Sequence, residues 1–390
     1  MKVLFVTSTF PRSEDAVFAK WIGEFAVRLK NKGLEVDIFA PAFKGSPSHD
    51  YFGIRVHRFR YAPSFLEVLT HDEGAITKIR KNPLFIIIAF FYLFFGSIAI
   101  TKHLINHKYD VINVHWPFPN GIFGLIAKMI RKTRIVLTFY SAELVLAKHV
   151  PFGKIILSHI IKNSEGIIAN SDYSRSEIQK IQKHSVSIVR YASAFSAKKN
   201  ITKKHTKNGK KILFVGRLIE RKGVEFLISS MPKVLRGVEV ELQIVGDGPL
   251  FPSLQKQINS LSLQKNVKLY GKISDRDLKK MYEECDVFVL PSIIDRWGDT
   301  EGLGVVLLEA MSFGKPVIAS SVGGIIDIVK NERTGLLVSE KDPDSLANAI
   351  IKILTDEKLA GKLGETGYKY VMNNFNWDTI VRKTINIYQK

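Results

Sequence analysis

The sequence predicts an α/β protein with two doubly wound parallel-sheet domains that face each other across a cleft. Short β-branched runs alternate with longer amphipathic segments along the chain, and one polar, basic stretch divides them into two series. A chain of 390 residues with 46% apolar composition can bury two substantial cores. We therefore predict a first domain at 1–195, a linker at 196–211 and a second domain at 212–376.

The first domain is predicted to open with a buried strand over residues 1–7, since no cleavage region follows it as in a signal peptide. A loop that contains Arg12 leads into a helix from about Ala16 to Asn31, and Gly33 ends that helix. The next strand runs from Glu35 to Ala40. Later strands of this domain are predicted near 109–115, 134–140, 166–170 and 186–192.

An uncharged apolar run, residues 84–100, has basic residues on both sides. It lies at the lower length limit for crossing a bilayer, and crossing would separate the first strands from those with which they should pair. Two alternatives remain: a core helix of the first domain, or a helix that lies in the membrane interface. A run that is apolar all round exceeds what one sheet face requires, which favours the membrane.

Charge is distributed unevenly along the chain. Residues 1–195 carry 26 basic and 14 acidic side chains, residues 196–211 carry 7 and none, and residues 212–390 carry 24 and 23. Such asymmetry predicts an anionic partner. No nucleic-acid-binding motif is present, so we expect an anionic membrane surface and no nucleic acid. The single cysteine, Cys285, excludes an internal disulfide and fits a reducing cytosol, and no His/Cys cluster has metal-site spacing.

The second domain opens with a strand that ends at a tight turn, Gly216, followed by two cations before a helix. Arg217 can bind a diphosphate through its planar fork and Lys222 as a point charge. Two more strands end in turns at Gly246 and Gly271. The alternative is that both cations belong to a solvated loop.

The stretch around which the chain is organised is a glycine-bearing loop that opens a short helix, followed by the strand Val317–Ala319. Glu301 lies in the loop and Glu309 about one turn into the helix. Gly302 and Gly304 leave backbone amides open at the helix start, which suits phosphate, while carboxylates suit sugar hydroxyls. The pattern indicates a binding site for a nucleotide-sugar. The alternative is an amphipathic helix with two solvated glutamates, which would show the same pattern.

The pair Glu301-x7-Glu309, the run 310–319 and Gly323-Gly324 resemble the signature of family-4 retaining glycosyltransferases of the GT-B fold, also described as glycosyl transferases group 1. The resemblance implies that Glu301 contacts the donor sugar and Glu309 the ribose. It implies further donor contacts from Arg217 and Lys222 to phosphate, from amides of Gly302, Leu303, Gly304 and Val305 to phosphate, and from Gly271, Lys272 and Ile273 to the base. Such proteins return their last helix, here about 377–390, to the first domain.

The first domain resembles the family less closely. Asp15-Ala16 stands where the family has a glycine pair, and Tyr140 stands where it has a histidine near the donor sugar. The run from His115 to Gly121 resembles a subgroup of the same transferases. Acceptor-side candidates are therefore His115, Tyr140 and Arg12.

Together these patterns predict a retaining glycosyltransferase that uses a UDP- or GDP-sugar as substrate, without cofactor or metal. The acceptor is expected to be a glycan or lipid-linked glycan, as in polysaccharide or lipopolysaccharide assembly, at the inner face of the cell membrane. Two alternatives stay open: a sugar-nucleotide epimerase of the same fold, and a non-catalytic member that binds membrane or polysaccharide.

Overall fold

A computed structural model describes residues 1–14, 19–71, 78–79, 82–192 and 209–390. It confirms two α/β units, each built on its own mainly parallel sheet. The first unit comprises Met1–Val189 and Val381–Lys390, and the second comprises Arg190–Ile380. The boundary thus falls at 189/190, six residues before the predicted 195.

The first unit holds an eight-stranded sheet. Its strands are β1 (Lys2–Val6), β2 (Glu35–Pro41), β3 (His49–Tyr51), β4 (Ile54–Phe59), β5 (Val111–His115), β6 (Arg134–Phe139), β7 (Gly166–Ala169) and β8 (Ser187–Ile188). Its helices are α1 (Lys20–Asn31), α2 (Phe85–Asn106), α3 (Pro117–Arg131), α4 (Ala142–His149), α5 (Gly153–Lys162) and α6 (Asp172–Ile181). The strand order is β3-β4-β2-β1-β5-β6-β7-β8, and β3 pairs antiparallel with β4 while the other pairings are parallel.

The second unit holds a six-stranded parallel sheet in the order β11-β10-β9-β12-β13-β14. Its strands are β9 (Lys210–Val215), β10 (Val240–Val245), β11 (Val267–Gly271), β12 (Val287–Leu290), β13 (Val317–Ser320) and β14 (Leu336–Val338). Its helices are α7 (Val224–Gly237), α8 (Phe251–Ser260), α9 (Asp275–Glu284), α10 (Val305–Ser312), α11 (Ile325–Ile328), α12 (Pro343–Thr355) and α13 (Glu357–Asn374). A last helix, α14 (Trp377–Gln389), enters the first unit, where Asn113 donates a 2.5 Å hydrogen bond to the Tyr388 hydroxyl.

The predicted linker needs correction at its end. Most of 196–211 lies outside the described residues, but Lys210 and Lys211 form the first rungs of β9, opposite Val240 and Glu241. Their charges do not prevent strand formation because the ammonium groups find partners at the sheet margin. Lys211, for example, lies 2.8 Å from Glu284.

Helix α2 contains the apolar run and buries a single stripe. Tyr92, Gly96, Ile100 and Leu104, each four residues apart, are buried, and the helix packs against α3. Large apolar side chains on its other faces are exposed, among them Phe90 at 63% and Phe94 at 49%. One side of the helix thus joins the core of the first unit, and the other side is exposed. By length and composition this is the one helix in the described part of the chain that could cross a membrane.

Candidate functional site

The predicted donor residues lie beyond the carboxyl ends of neighbouring strands in the second unit. The segment that contains Arg217 and Lys222 follows β9, and the loop that leads to Glu301 follows β12, which pairs with β9. Helix α10, which carries Glu309, starts four residues after Glu301. Since parallel α/β sheets bind ligands at this edge, the topology brings the four predicted side chains to the expected place.

A buried ionic cluster forms the centre of the site. The Nζ atom of Lys222 and the Nη1 atom of Arg221 both donate to Oε2 of Glu301, the latter over 3.0 Å. Lys222 is only 7% exposed and Glu301 only 9%. Burial alone would raise the pKa of Glu301, but the charges of Lys222 and Arg221 hold it at about 2. Burial also lowers the pKa of Lys222.

Arg221 joins the cluster to the loop before Glu301, a role that the sequence analysis missed. Its Nε lies 3.6 Å from Asp299 Oδ2, and its backbone carbonyl accepts a 2.9 Å hydrogen bond from Ile293. Asp295 Oδ1 accepts hydrogen bonds from the amides of Trp297 and Asp299, each over 2.9 Å. The two adjacent cations were visible in the sequence, but it takes the 3-10 turn Glu220–Lys222 to bring both of them to Glu301.

Helix α10 begins at a backbone position that requires glycine. Gly304, the residue before the helix, has φ 85°. Gly324 packs so closely beneath the loop that a Cβ on it would lie 2.0 Å from the Gly302 carbonyl oxygen, and its amide donates a 2.8 Å hydrogen bond to the Glu301 carbonyl. The loop is thereby held at a helix N-terminus, where unpaired amides favour anions.

Glu309 is half-buried, and its surroundings favour the protonated, neutral form of its carboxyl group. Its Oε2 accepts a 2.8 Å hydrogen bond from the hydroxyl of Tyr282, which is fully buried. Tyr282 in turn stacks on Phe313 with 5.4 Å between ring centroids. Burial raises the pKa of Glu309 to about 7, against the opposing effect of the tyrosine hydrogen bond. Glu309 thus differs sharply from Glu301 in protonation.

The predicted glycine turns lie together at the sheet edge. The amide of Gly216 donates to Val245 over 3.0 Å, and the amide of Gly246 donates to Gly271 over 2.9 Å. Beside them, Lys272 has a side chain 85% exposed, 3.8 Å from Asp247. Ile273 and Val305 are half-buried and Leu303 is buried. Arg217 is exposed, and its charge helps to lower the pKa of Lys222.

In the first unit, His115 and Tyr140 lie at the ends of β5 and β6 and contact each other. His115 Nδ1 lies 2.5 Å from the Tyr140 hydroxyl. The histidine is 0% exposed and burial lowers its pKa to about 3, so it is neutral and lies beneath the surface. Tyr140 is half-buried. Any contact of His115 with an acceptor is therefore indirect, through Tyr140.

Arg12 lies apart from that pair, on the loop after β1. It is exposed, with its guanidinium 5.0 Å from the ring centroid of Phe43. The loop itself is fixed by Arg58, whose Nη2 donates 2.9 Å hydrogen bonds to the carbonyls of Phe10 and Pro11. The Asp15-Ala16 departure from the family pattern lies outside the described residues.

Comparison with known proteins identifies the family to which both halves of the chain are similar. The family model "Glycosyl transferases group 1" matches residues 197–370, and "Glycosyltransferase Family 4" matches residues 19–190. An uncharacterized glycosyltransferase of Methanocaldococcus jannaschii is 38% identical over 180 residues, 46% of this chain and 45% of that protein. A GDP-mannose-dependent alpha-(1-6)-phosphatidylinositol monomannoside mannosyltransferase of Mycobacterium tuberculosis is 26% identical over 98% of this chain and 96% of its own length.

Among solved structures, a sucrose-phosphate synthase from Thermosynechococcus elongatus superposes with a TM-score of 0.80 at 22% identity, covering 100% of this chain and 98% of the other. That likeness concerns the fold. The two family models fall on the two structural units in turn. The chain belongs to the family-4 glycosyltransferases of the GT-B fold.

Proposed function

We propose that this chain is a retaining transferase that moves a sugar from a UDP- or GDP-sugar to an acceptor hydroxyl, with Glu301, Arg217 and Lys222 as its catalytic residues. The observation that carries the proposal is the buried contact between Lys222 and Glu301 at the start of α10. A nucleotide-sugar requires both groups at one place, because its diphosphate attracts cations and its sugar hydroxyls donate to carboxylates.

Donor binding would rearrange the ionic cluster. In the structure, one oxygen of Glu301 binds both Lys222 and Arg221. A diphosphate supplies the same two cations with several negatively charged oxygens, which leaves a lone pair of Glu301 for a hydroxyl of the sugar. Arg217 adds a third positive charge near Lys222, and Glu309 accepts hydrogen bonds from the ribose hydroxyls.

The chemistry follows from fixed charges. As the bond between the sugar and the diphosphate breaks, negative charge accumulates on the leaving oxygen, where Lys222, Arg217 and the amides at the start of α10 stabilise it without reorganisation. Protonation by an acid is unnecessary because the diphosphate is already a good leaving group, so the paired-carboxylate chemistry of glycosidases does not apply. The acceptor hydroxyl attacks from the side that the diphosphate leaves, the departing phosphate takes its proton, and the anomeric configuration is retained.

Nucleotide release from a panel of UDP- and GDP-sugars, with and without acceptor, tests the proposal. We expect one donor to be consumed, the activity to persist in excess EDTA, and the product anomer to match the donor by NMR. Glu301→Ala and Lys222→Ala should each abolish turnover, whereas Lys233→Ala, at an exposed pair with Asp344 remote from the cluster, should not. Tight donor binding without turnover would contradict the proposed transferase activity and favour the non-catalytic alternative.

We further propose that the acceptor is a lipid-linked or polysaccharide precursor reached at the cytoplasmic face of the cell membrane. Helix α2 supports this proposal with its exposed apolar surface, formed by Leu84, Ile86, Ile87, Phe90, Phe91, Phe94, Phe95, Ile98 and Ile105. This surface is rich in aromatic and aliphatic side chains, as expected of a helix in the bilayer interface. Lys102 and Lys108 are exposed near its end, and the first half of the chain is strongly basic.

Flotation with vesicles tests the membrane contact. We expect the protein to float with phosphatidylglycerol-containing vesicles and to float less with neutral phosphatidylcholine vesicles. The variant Phe90→Ser/Phe94→Ser should stay at the bottom of the gradient. Met372→Ser, which replaces an exposed apolar side chain of the second unit, is the matched control. Equal flotation of the double variant and the wild type would reject α2 as the contact.

A further inference from the structure

Three aromatic side chains lie together beyond the carboxyl ends of β5 and β6 in the first unit. The rings of Trp116 and Tyr140 have centroids 4.5 Å apart, Trp21 lies 5.1 Å from Tyr140, and the two tryptophans are 5.8 Å apart. All three are half-buried, whereas core aromatics such as Phe5 and Phe139 are 0% exposed. We call Trp21, Trp116 and Tyr140 the aromatic platform.

The backbone beneath the platform is held in unfavourable conformations. Trp116 has φ 51°, and Ser141, directly after Tyr140, has φ 89°. Residues other than glycine rarely adopt positive φ, and residues in such conformations concentrate at binding sites. Asn120 fixes the first turn by donating a 3.0 Å hydrogen bond to the His115 carbonyl. Glu143 fixes the second by accepting a 2.6 Å hydrogen bond from the Tyr140 amide.

The platform is also fixed from below. The Tyr140 hydroxyl is bound to the buried ring of His115, which packs on Phe5 with 4.5 Å between centroids. These contacts therefore fix the orientation of the Tyr140 ring. Rigid, half-exposed aromatic rings offer a large contact area at small cost in side-chain entropy.

From this arrangement we infer that the aromatic platform binds a six-membered polyol ring of the acceptor, either a hexopyranose or a cyclitol such as inositol. The electron-rich ring faces of tryptophan and tyrosine attract the C–H groups on the less polar side of such a ring, while its hydroxyls stay available to water and to polar neighbours. The edge of the sheet at which the platform lies is the usual ligand edge of a parallel sheet. The inference rests on the proposed function and specifies its acceptor.

Binding of free rings tests this inference directly. Saturation-transfer NMR on the full chain with UDP or GDP present would compare methyl α-mannoside, methyl α-glucoside and myo-inositol with glycerol, which has no ring. We expect at least one ring to receive saturation and glycerol none. A ring signal restricted to the methyl glycosides identifies a pyranose acceptor, and one restricted to inositol identifies a cyclitol acceptor.

Two substitutions at Trp116 separate stacking from folding. Trp116→Ala should abolish the ring signal and raise the KM for acceptor at least about ten-fold, while Trp116→Phe, which keeps a ring face, should stay within a few-fold of wild type. Nucleotide binding should remain in both, and Trp377→Phe in the last helix is the control for tryptophan loss. Circular dichroism checks the fold of each variant.

Failure of this inference is distinguishable from failure of the proposed function. Donor turnover with equal ring signals in wild type and Trp116→Ala, or with no ring signal in wild type, overturns the platform and leaves the transferase intact. Absence of nucleotide binding and of donor turnover overturns the proposed function, while the ring signal and its loss in Trp116→Ala still decide whether the platform binds a ring.

Discussion

The Nη1 atom of Arg221 lies 3.0 Å from Oε2 of Glu301, the same oxygen that accepts a hydrogen bond from Lys222. Two cations thus bind one carboxylate, and both Lys222 and Glu301 are buried. Removing the Glu301 carboxylate leaves the buried Lys222 without this acidic partner, and Arg221 with the more distant Asp299, 3.6 Å from its Nε atom. The stability of the second unit should therefore depend on whether these cations have an anionic partner.

Replacement of Glu301 tests that dependence. We expect Glu301→Ala to lower the free energy of unfolding by about 3 kcal/mol in urea titrations at neutral pH, because the buried Lys222 loses the carboxylate to which it donates and Arg221 loses its contact at 3.0 Å. UDP or GDP should then raise the melting temperature of the variant more than that of the wild type. As a control, Glu365→Ala removes an exposed pair with Lys369 and should change little. Equal nucleotide effects in variant and wild type would exclude these cations as the diphosphate site.

Protonation of Glu309 should make donor binding depend on pH. With a pKa of about 7, Glu309 is mostly protonated at pH 6 and mostly ionised at pH 8. If the ribose hydroxyls bind the ionised form, the dissociation constant of the nucleotide-sugar should fall about ten-fold between these pH values. Calorimetry with the intact nucleotide-sugar is the measurement, because its diphosphate does not titrate in this range. Glu309→Gln should give weaker binding without this pH dependence, and a pH-dependent variant would assign the effect to another group.

The same pKa makes a prediction for stability. Because the folded pKa of Glu309 is raised, the folded state disfavours its ionised form, and the resulting loss of stability develops as pH rises from about 4.5 through 7. Glu309→Gln should therefore gain stability relative to wild type at pH 8 and not at pH 4. Urea titrations at both pH values provide the comparison, and a gain of equal size at both would refute this origin.

The sequence predicted where the candidate site residues lie better than it predicted the contacts between them. Lys222, Glu301 and the glycine before α10 follow from local spacing, since each is set by a strand end, a turn or a helix start. Arg221 could not be assigned to the cluster from the sequence, because the 3-10 turn Glu220–Lys222 brings both adjacent cations to Glu301. The hydrogen bond between Tyr282 and Glu309 joins residues 27 apart on two different helices, and only the three-dimensional structure reveals it.

The first unit shows the same limit. Composition identified the run 84–100 as apolar all round, but the buried stripe of α2 is set by where α3 packs. The order of residues likewise placed His115 at a loop and left its exposure open. In the structure it lies beneath Tyr140, a non-local relationship across neighbouring strands β5 and β6.

Substitutions on the two sides of α2 should change different properties of the protein. On the buried stripe they should lower its stability, and on the exposed side they should weaken its binding to vesicles. A Cβ on Gly96 would lie 2.5 Å from Cζ of Phe123, a fully buried ring, so Gly96→Ala should lower the free energy of unfolding by about 2 kcal/mol. Phe94→Ser, on the exposed side, should change it little while weakening vesicle binding. Urea titrations of the two variants are the measurement. A larger loss for Phe94→Ser would show that this side is covered by protein.

Loss of the Tyr140 hydroxyl should cost stability without removing the aromatic platform. In Tyr140→Phe, Nδ1 of the fully buried His115 loses its hydrogen-bond partner, and we expect a loss of about 1–2 kcal/mol in the free energy of unfolding. The phenylalanine ring still presents a face, so the acceptor KM should stay within a few-fold of wild type, in contrast to Trp116→Ala. Tyr270→Phe, at a tyrosine 39% exposed in the second unit, is the matched control and should be nearly neutral. A large rise in acceptor KM with unchanged stability would instead show that the hydroxyl itself contacts the acceptor and that its bond to His115 is secondary.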